Sequence, residues 1–138
     1  MTSAVKYIIY FVIFSVLGWL FESCILRKPG LECGNSVTRY FNMCLPLLLV
    51  YGVGGMIILY INENFQYIRL LPRVLLATVI LVALECLAGL ASRAVFNKRT
   101  WDYSQDPLPM CDSYISLRVS IFWFVMVFIF YLITEKSV

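Results

Sequence analysis

The sequence predicts an all-α integral membrane bundle of about four transmembrane helices, and three observations point there. Of 138 residues, 62% are hydrophobic and only 14% charged, more apolar surface than so small a soluble domain can hide. The apolar residues are gathered into four blocks, each near the roughly 20 residues that carry a helix across a ~30 Å hydrocarbon core. The strict alternation of a barrel strand is absent, and lipid leaves helices as the other way to satisfy the backbone.

In chain order the spans are predicted at about 5–24, 44–61, 71–93 and 117–134, making residues 1–138 one four-helix transmembrane domain without a linker. The first block has Lys6 ahead of a long apolar run, then Trp19, Phe21 and Glu22 where a cleavable signal wants small residues. It therefore reads as an uncleaved first span. Pro46 and Pro72 fall in the first turns of spans two and three, where a missing N–H costs least. Residues 25–43 and 94–116 are long, polar loops rich in turn formers, whereas 62–70 is a short connection. Four spans put both long loops on one face of the membrane, and the short loop and both termini on the other.

Charge gives a preference for orientation. Arg27, Lys28, Arg39, Arg93, Lys98, Arg99 and Arg118 lie on or beside the long loops, against Lys6, Arg69, Arg73 and Lys136 on the other side. Seven against four favours cytoplasmic long loops. The formal charge of +3 is too small and dispersed for nucleic acid. The lack of histidine removes the commonest general base and metal ligand. Cys24, Cys33, Cys44 and Cys111 all belong to the long-loop side, and Cys86 alone lies inside a span. One or two disulfides could staple that face in an oxidising compartment, but charge bias and compartment together favour free thiols. The cysteine spacing has no paired C-x-x-C of a zinc site, so no metal and no cofactor are expected.

Polar residues inside the spans are few and periodic. Ser15, Gly18 and Glu22 share a face of span one; Thr78, Glu85, Gly89 and Ser92 share one of span three. Span two contributes Tyr51, Gly52, Gly54 and Gly55, and span four Ser120, Trp123 and Thr134. Gly18, Gly52, Gly54, Gly55 and Gly89 are ordinary packing residues, because small side chains let membrane helices approach. Glu22 and Glu85 demand more, since a carboxylate in the bilayer costs at least ~2.5–3.5 kcal/mol on insertion scales. Both fall in the half nearest the long loops. The candidate site is a polar pocket on that face, formed by Glu22, Arg39, Tyr51, Glu85, Trp101, Asp102 and Tyr103. Glu22 and Glu85 would be its floor and Arg39 a counter-ion. The competing explanation is a structural ion pair that sets helix register.

Three segments carry a family resemblance. Leu17-Gly18-Trp19-Leu20-Phe21-Glu22 is similar to a G-W-x-x-E signature ending a first span. Pro46 with Tyr51-Gly52-Val53-Gly54 resembles G-P-x-x-P-I-Y-G-x-G, with Leu45 and Leu49 in place of a glycine and a proline. Glu85-Cys86-Leu87-Ala88-Gly89 followed by Trp101-Asp102-Tyr103-Ser104 resembles E-Y-x-x-G and W-D-Y-S. In order and spacing these resemble the Putative ABC-transporter type IV family, also described as CmpB-like permeases. The resemblance implies a membrane permease component and not an enzyme. The chain has no G-x-x-x-x-G-K-[ST] sequence, so any ATPase would be a separate subunit. Four spans are few for a lone transporter, so copies of the chain or other membrane subunits are expected partners beside the lipid bilayer. The alternative is a scaffold protein whose polar seam only stabilises packing and assembly. A membrane enzyme acting on a lipid ranks last, since no nucleophile–base pair or acidic cluster supports it.

Overall fold

The computed structural model describes residues 2–21, 45–97 and 99–136. Four helices run through them: α1 (Ser3–Phe21), α2 (Leu45–Asn64), α3 (Leu70–Phe96) and α4 (Leu117–Lys136). The described residues contain no strand beyond one isolated antiparallel bridge, Met110 with Ile115. The chain is thus an all-α bundle. By length and apolarity α1, α3 and α4 can each cross a membrane, while the apolar stretch Leu48–Asn64 of α2 is shorter. Three such helices make this a membrane protein.

The helices pack in sequence order, α1 on α2, α2 on α3 and α3 on α4. Short connections favour antiparallel neighbours, and the one between α2 and α3 is shorter than the sequence predicted. Helix α2 runs on to Asn64, and a single turn closed by Ile68 N–H to the Phe65 carbonyl (3.0 Å) leads into α3. Pro72 occupies the first turn of α3, and Asn97 ends that helix in the left-handed conformation (φ 54°), a common C-terminal stop.

Small residues decide how closely the helices meet. The ring of Tyr51 lies over Gly18, that of Phe14 over Gly55, and Phe11 with Ser15 over Gly52. A Cβ at any of these positions would collide, so α1 rests on α2 by fitting rings into glycine notches. A Cβ on Gly54 would come 3.0 Å from Leu81 and 3.6 Å from Trp123, so this position faces α3 and α4 instead. The core between α2, α3 and α4 holds Ile58, Val74, Ala77, Leu81, Val127 and Tyr131. The buried side of α3 includes Thr78, Glu85, Gly89 and Ser92, the polar stripe itself. Such a stripe turned to lipid would leave its hydrogen bonds unmade.

The short-loop end is held by ion pairs. Lys6 of α1 bonds Glu63 of α2, which Tyr7 also reaches at 3.3 Å. Arg73, with 2% of its side chain exposed, pairs with Glu135 and lies 5.1 Å over the Tyr131 ring. Two polar contacts close α4 on α2: Tyr131 donates its hydroxyl to the Ile58 carbonyl (3.0 Å), and Asn62 donates to Thr134 (3.3 Å).

Candidate functional site

Glu85 is 1% exposed, and the fold provides for it from α4. The indole N–H of Trp123 donates to Glu85 Oε2 at 2.8 Å. Trp123 lies six residues along α4 from Leu117, about 9 Å by helical rise. The carboxylate is thus in the half of the bundle near the long loops. A tryptophan nearly two turns inside a span, away from the interface where such rings collect, is a sequence signal for this partner. The indole is itself held by rings, 5.3 Å from Tyr51 and 5.7 Å from Phe122 between centroids.

Beside the carboxylate is a cavity of about 20 Å³ lined by Tyr51, Glu85, Tyr103, Arg118, Val119, Phe122 and Trp123. That is room for about one water molecule. Of the seven residues predicted to form the pocket, Tyr51, Glu85 and Tyr103 meet here. Glu22 and Arg39 lie outside the described residues. Trp101 and Asp102 do not line the cavity. Trp101 is fully buried, donates its indole N–H to the Tyr114 carbonyl (2.9 Å) and meets the Tyr114 ring edge-on. Asp102 turns back on its own loop, where its Oδ1 accepts the Ser104 N–H at 2.8 Å and lies 3.8 Å from Arg99. The local turn satisfies this carboxylate in place of the pocket. Arg118 joins the site unpredicted and is tied to Asp106 at 2.9 Å.

Residues 99–116 form a cap that folds back along the last turns of α3. Tyr103 N–H donates to the Ser113 carbonyl (2.8 Å), and Met110 and Ile115 exchange backbone bonds of 2.9 and 3.3 Å. Thr100 and Ser92 share a hydroxyl bond of 2.8 Å, which joins cap to helix. The Tyr114 ring, itself fully buried, covers Gly89, and the Arg99 guanidinium lies 4.6 Å above it. The cap therefore hands Tyr103 to the cavity as one wall.

The cysteines correct the expectation of free thiols. Cys86 of α3 and Cys111 of the cap form a disulfide, with Cα atoms 5.9 Å apart. The sequence had set the span cysteine apart from the loop cysteines; the fold joins them because the cap folds back along α3 to meet it. Cys24, Cys33 and Cys44 lie outside the described residues. The turn that carries Cys111 has three successive non-glycine residues in the left-handed region: Cys111 (φ 53°), Asp112 (54°) and Ser113 (64°). Each such residue costs roughly 1–2 kcal/mol. The turn is held by the disulfide, by Arg93 and Arg99 on the Asp112 carboxylate, and by Arg99 donating to the Asp112 carbonyl at 2.7 Å.

Larger apolar hollows lie between the helices. One of about 270 Å³ runs between α1, α2 and α4, past Leu17, Gly18, Tyr51, Trp123, Met126 and Ile133. Another, about 280 Å³, lies between α2 and α3 beside Leu84, Ala88 and Ser92. Among the described residues no group of three or more His, Cys, Asp or Glu side chains could hold a metal ion.

The family model described as Putative ABC-transporter type IV matches residues 9–138. No curated protein and no solved structure matches the chain.

Proposed function

Since the chain belongs to the Putative ABC-transporter type IV family, we propose that it is a multi-pass permease component whose working site is the Glu85 cavity. The observation that carries this is a carboxylate 1% exposed in a membrane-crossing helix, beside a cavity lined by Tyr51, Tyr103 and Arg118. Such a group persists in a span where it is paired, hydrated or useful. Cavity residues come from α2, α3, α4 and the cap, so a shift of any one element changes the surroundings of Glu85. That is the arrangement a transport step needs, because alternating access moves packed elements around a fixed polar site. The substrate stays unassigned, since membership in a family does not carry one.

On this reading α2 crosses the membrane with the other three helices, and the whole chain is one transmembrane domain. ATP is hydrolysed by a separate subunit, since the chain lacks a nucleotide-binding G-x-x-x-x-G-K-[ST] sequence. Four helices enclose too little for a path of their own, so the chain works as an oligomer or with other membrane subunits. The glycine notches of α1 and α2 and the Tyr114 contact at Gly89 support the site by fixing how the helices meet.

A second reading has its own observation. The cavity holds only about one water, and Trp123 already occupies one carboxylate oxygen, as a purely structural seam would. The two readings part in one experiment. Tagged full-length protein is purified from its native membranes under mild detergent, and the Glu85→Gln variant is carried through in parallel. Glutamine keeps an oxygen for the Trp123 N–H, and circular dichroism and size-exclusion chromatography first establish that the variant folds and assembles. The permease reading expects an ATPase subunit to co-purify, with ATP hydrolysis by the assembly lost in Glu85→Gln. Recovery of the chain without an ATPase, or undiminished hydrolysis in the variant, refutes it in favour of the scaffold.

A further inference from the structure

We infer that the Cys86–Cys111 disulfide is a reversible latch, and that its reduction releases the cap from α3 and opens the Glu85 cavity. The bond joins the two parts whose separation would matter. Cys86 is the residue next to Glu85 on α3, and Cys111 belongs to the same cap as Tyr103, which walls the cavity. Both cysteines are half-buried residues, and Cys111 lies on the cap, outside the membrane-crossing helices, so the attack of a reductant falls on Cys111.

The turn beyond the bond is poised to move once freed. Cys111, Asp112 and Ser113 are all held in the left-handed region, which single non-glycine residues visit and runs of them avoid. Without the bond the cap keeps Thr100 on Ser92, the Trp101 indole on the Tyr114 carbonyl and the Tyr114 ring over Gly89. The turn itself keeps the contacts of Arg93 and Arg99 on Asp112 at an exposed surface, where ion pairs are weak. Loss of the covalent tie therefore lets the turn relax. Ser113 accepts the Tyr103 N–H, and Cys111 accepts that of Tyr114, so a relaxing turn pulls on both tyrosines. One walls the cavity; the other covers Gly89.

Compartment supplies the reason for a latch over a staple. The basic residues favour a cytoplasmic face for this cap, where disulfides are transient and serve redox sensing. The co-reactant is a dithiol. Its thiolate attacks Cys111 Sγ, the Cys86–Cys111 bond breaks, and Cys86 leaves as a thiolate that takes up a proton. The second thiol of the reductant then displaces Cys111 from the mixed disulfide. The protein gains two electrons and two protons, and the dithiol becomes a disulfide. Opening itself does not depend on the permease reading; only its consequence for transport does.

The test uses the full chain in lipid nanodiscs with Cys24, Cys33 and Cys44 changed to serine, so that one pair remains. Amide hydrogen exchange is followed in the oxidised protein, after dithiothreitol, and after re-oxidation. The expected result is exchange about tenfold or more faster at Tyr103, Tyr114 and Ile115 on reduction, with α1 and α2 unchanged and full reversal on re-oxidation. A Cys86→Ser, Cys111→Ser double variant should match the reduced form without reductant. Unchanged exchange in the cap, or a rise spread over all four helices, overturns the latch. So does alkylation trapping in intact cells that finds the pair wholly oxidised with and without added membrane-permeant dithiol. These readouts involve no ATP hydrolysis, so their failure is separable from failure of the Glu85→Gln test.

Discussion

Trp123→Phe keeps an aromatic ring against Tyr51 and Phe122 but takes away the N–H that reaches Glu85 Oε2 at 2.8 Å. The carboxylate is 1% exposed, so bulk water cannot replace the lost donor. Hydrogen bonds between membrane helices measure about 0.6 kcal/mol on average and up to ~1.7 kcal/mol. Bonds to charged groups in proteins run higher, at about 1.5–3 kcal/mol. A full burial with short geometry belongs at the upper end of the membrane range, so the interaction should contribute about 1–2 kcal/mol. The smaller ring also leaves a void, which the single variant includes and a double-mutant cycle removes. Trp123→Phe, Glu85→Met and their combination are unfolded in mixed micelles with increasing sodium dodecyl sulfate and followed by circular dichroism. The coupling between the two sites should be about 1–2 kcal/mol. A coupling below about 0.3 kcal/mol, the level of independent sites, would show that Trp123 does not hold the carboxylate.

Three further outcomes follow from the packing. Gly89→Val puts branched carbon where the buried Tyr114 ring lies; overpacking of this kind costs about 1–3 kcal/mol, and the loss should appear as faster amide exchange across residues 99–116. Glu135→Ala strands Arg73, which is 2% exposed, whereas Arg73→Met replaces the pair's buried half with apolar volume. The first should therefore destabilise more than the second, by about 1–3 kcal/mol once the half-exposed state of Glu135 is allowed for, and equal losses in the same titration would contradict the account. Finally, the disulfide closes a loop of sequence separation 25, for which chain entropy gives up to about 3.5 kcal/mol. Unfolding of Cys86→Ser, Cys111→Ser with the other cysteines already serine should show a loss of that order, and no loss would mean the pair does not form in the folded protein.

What lipid demands of each segment is written locally in the chain. Runs of apolar residues near the length of a bilayer crossing had to be helices, and α1, α2, α3 and α4 carry those runs. The inward side of α3 was legible too, because Thr78, Glu85, Gly89 and Ser92 recur with the helical period and a polar stripe cannot face hydrocarbon. Which residue meets which across the bundle is another kind of information. It depends on the rotation of one helix against the next and on the path of the cap, and neither leaves a local pattern in the chain. The bond of Glu85 to Trp123, the fold of Arg73 onto Tyr131 toward Glu135 and the service of Asp102 to its own turn are therefore visible only in the assembled bundle. So is the bond of a cysteine inside a span to one in a loop, because residues 99–116 fold back along α3 and bring Cys111 to Cys86.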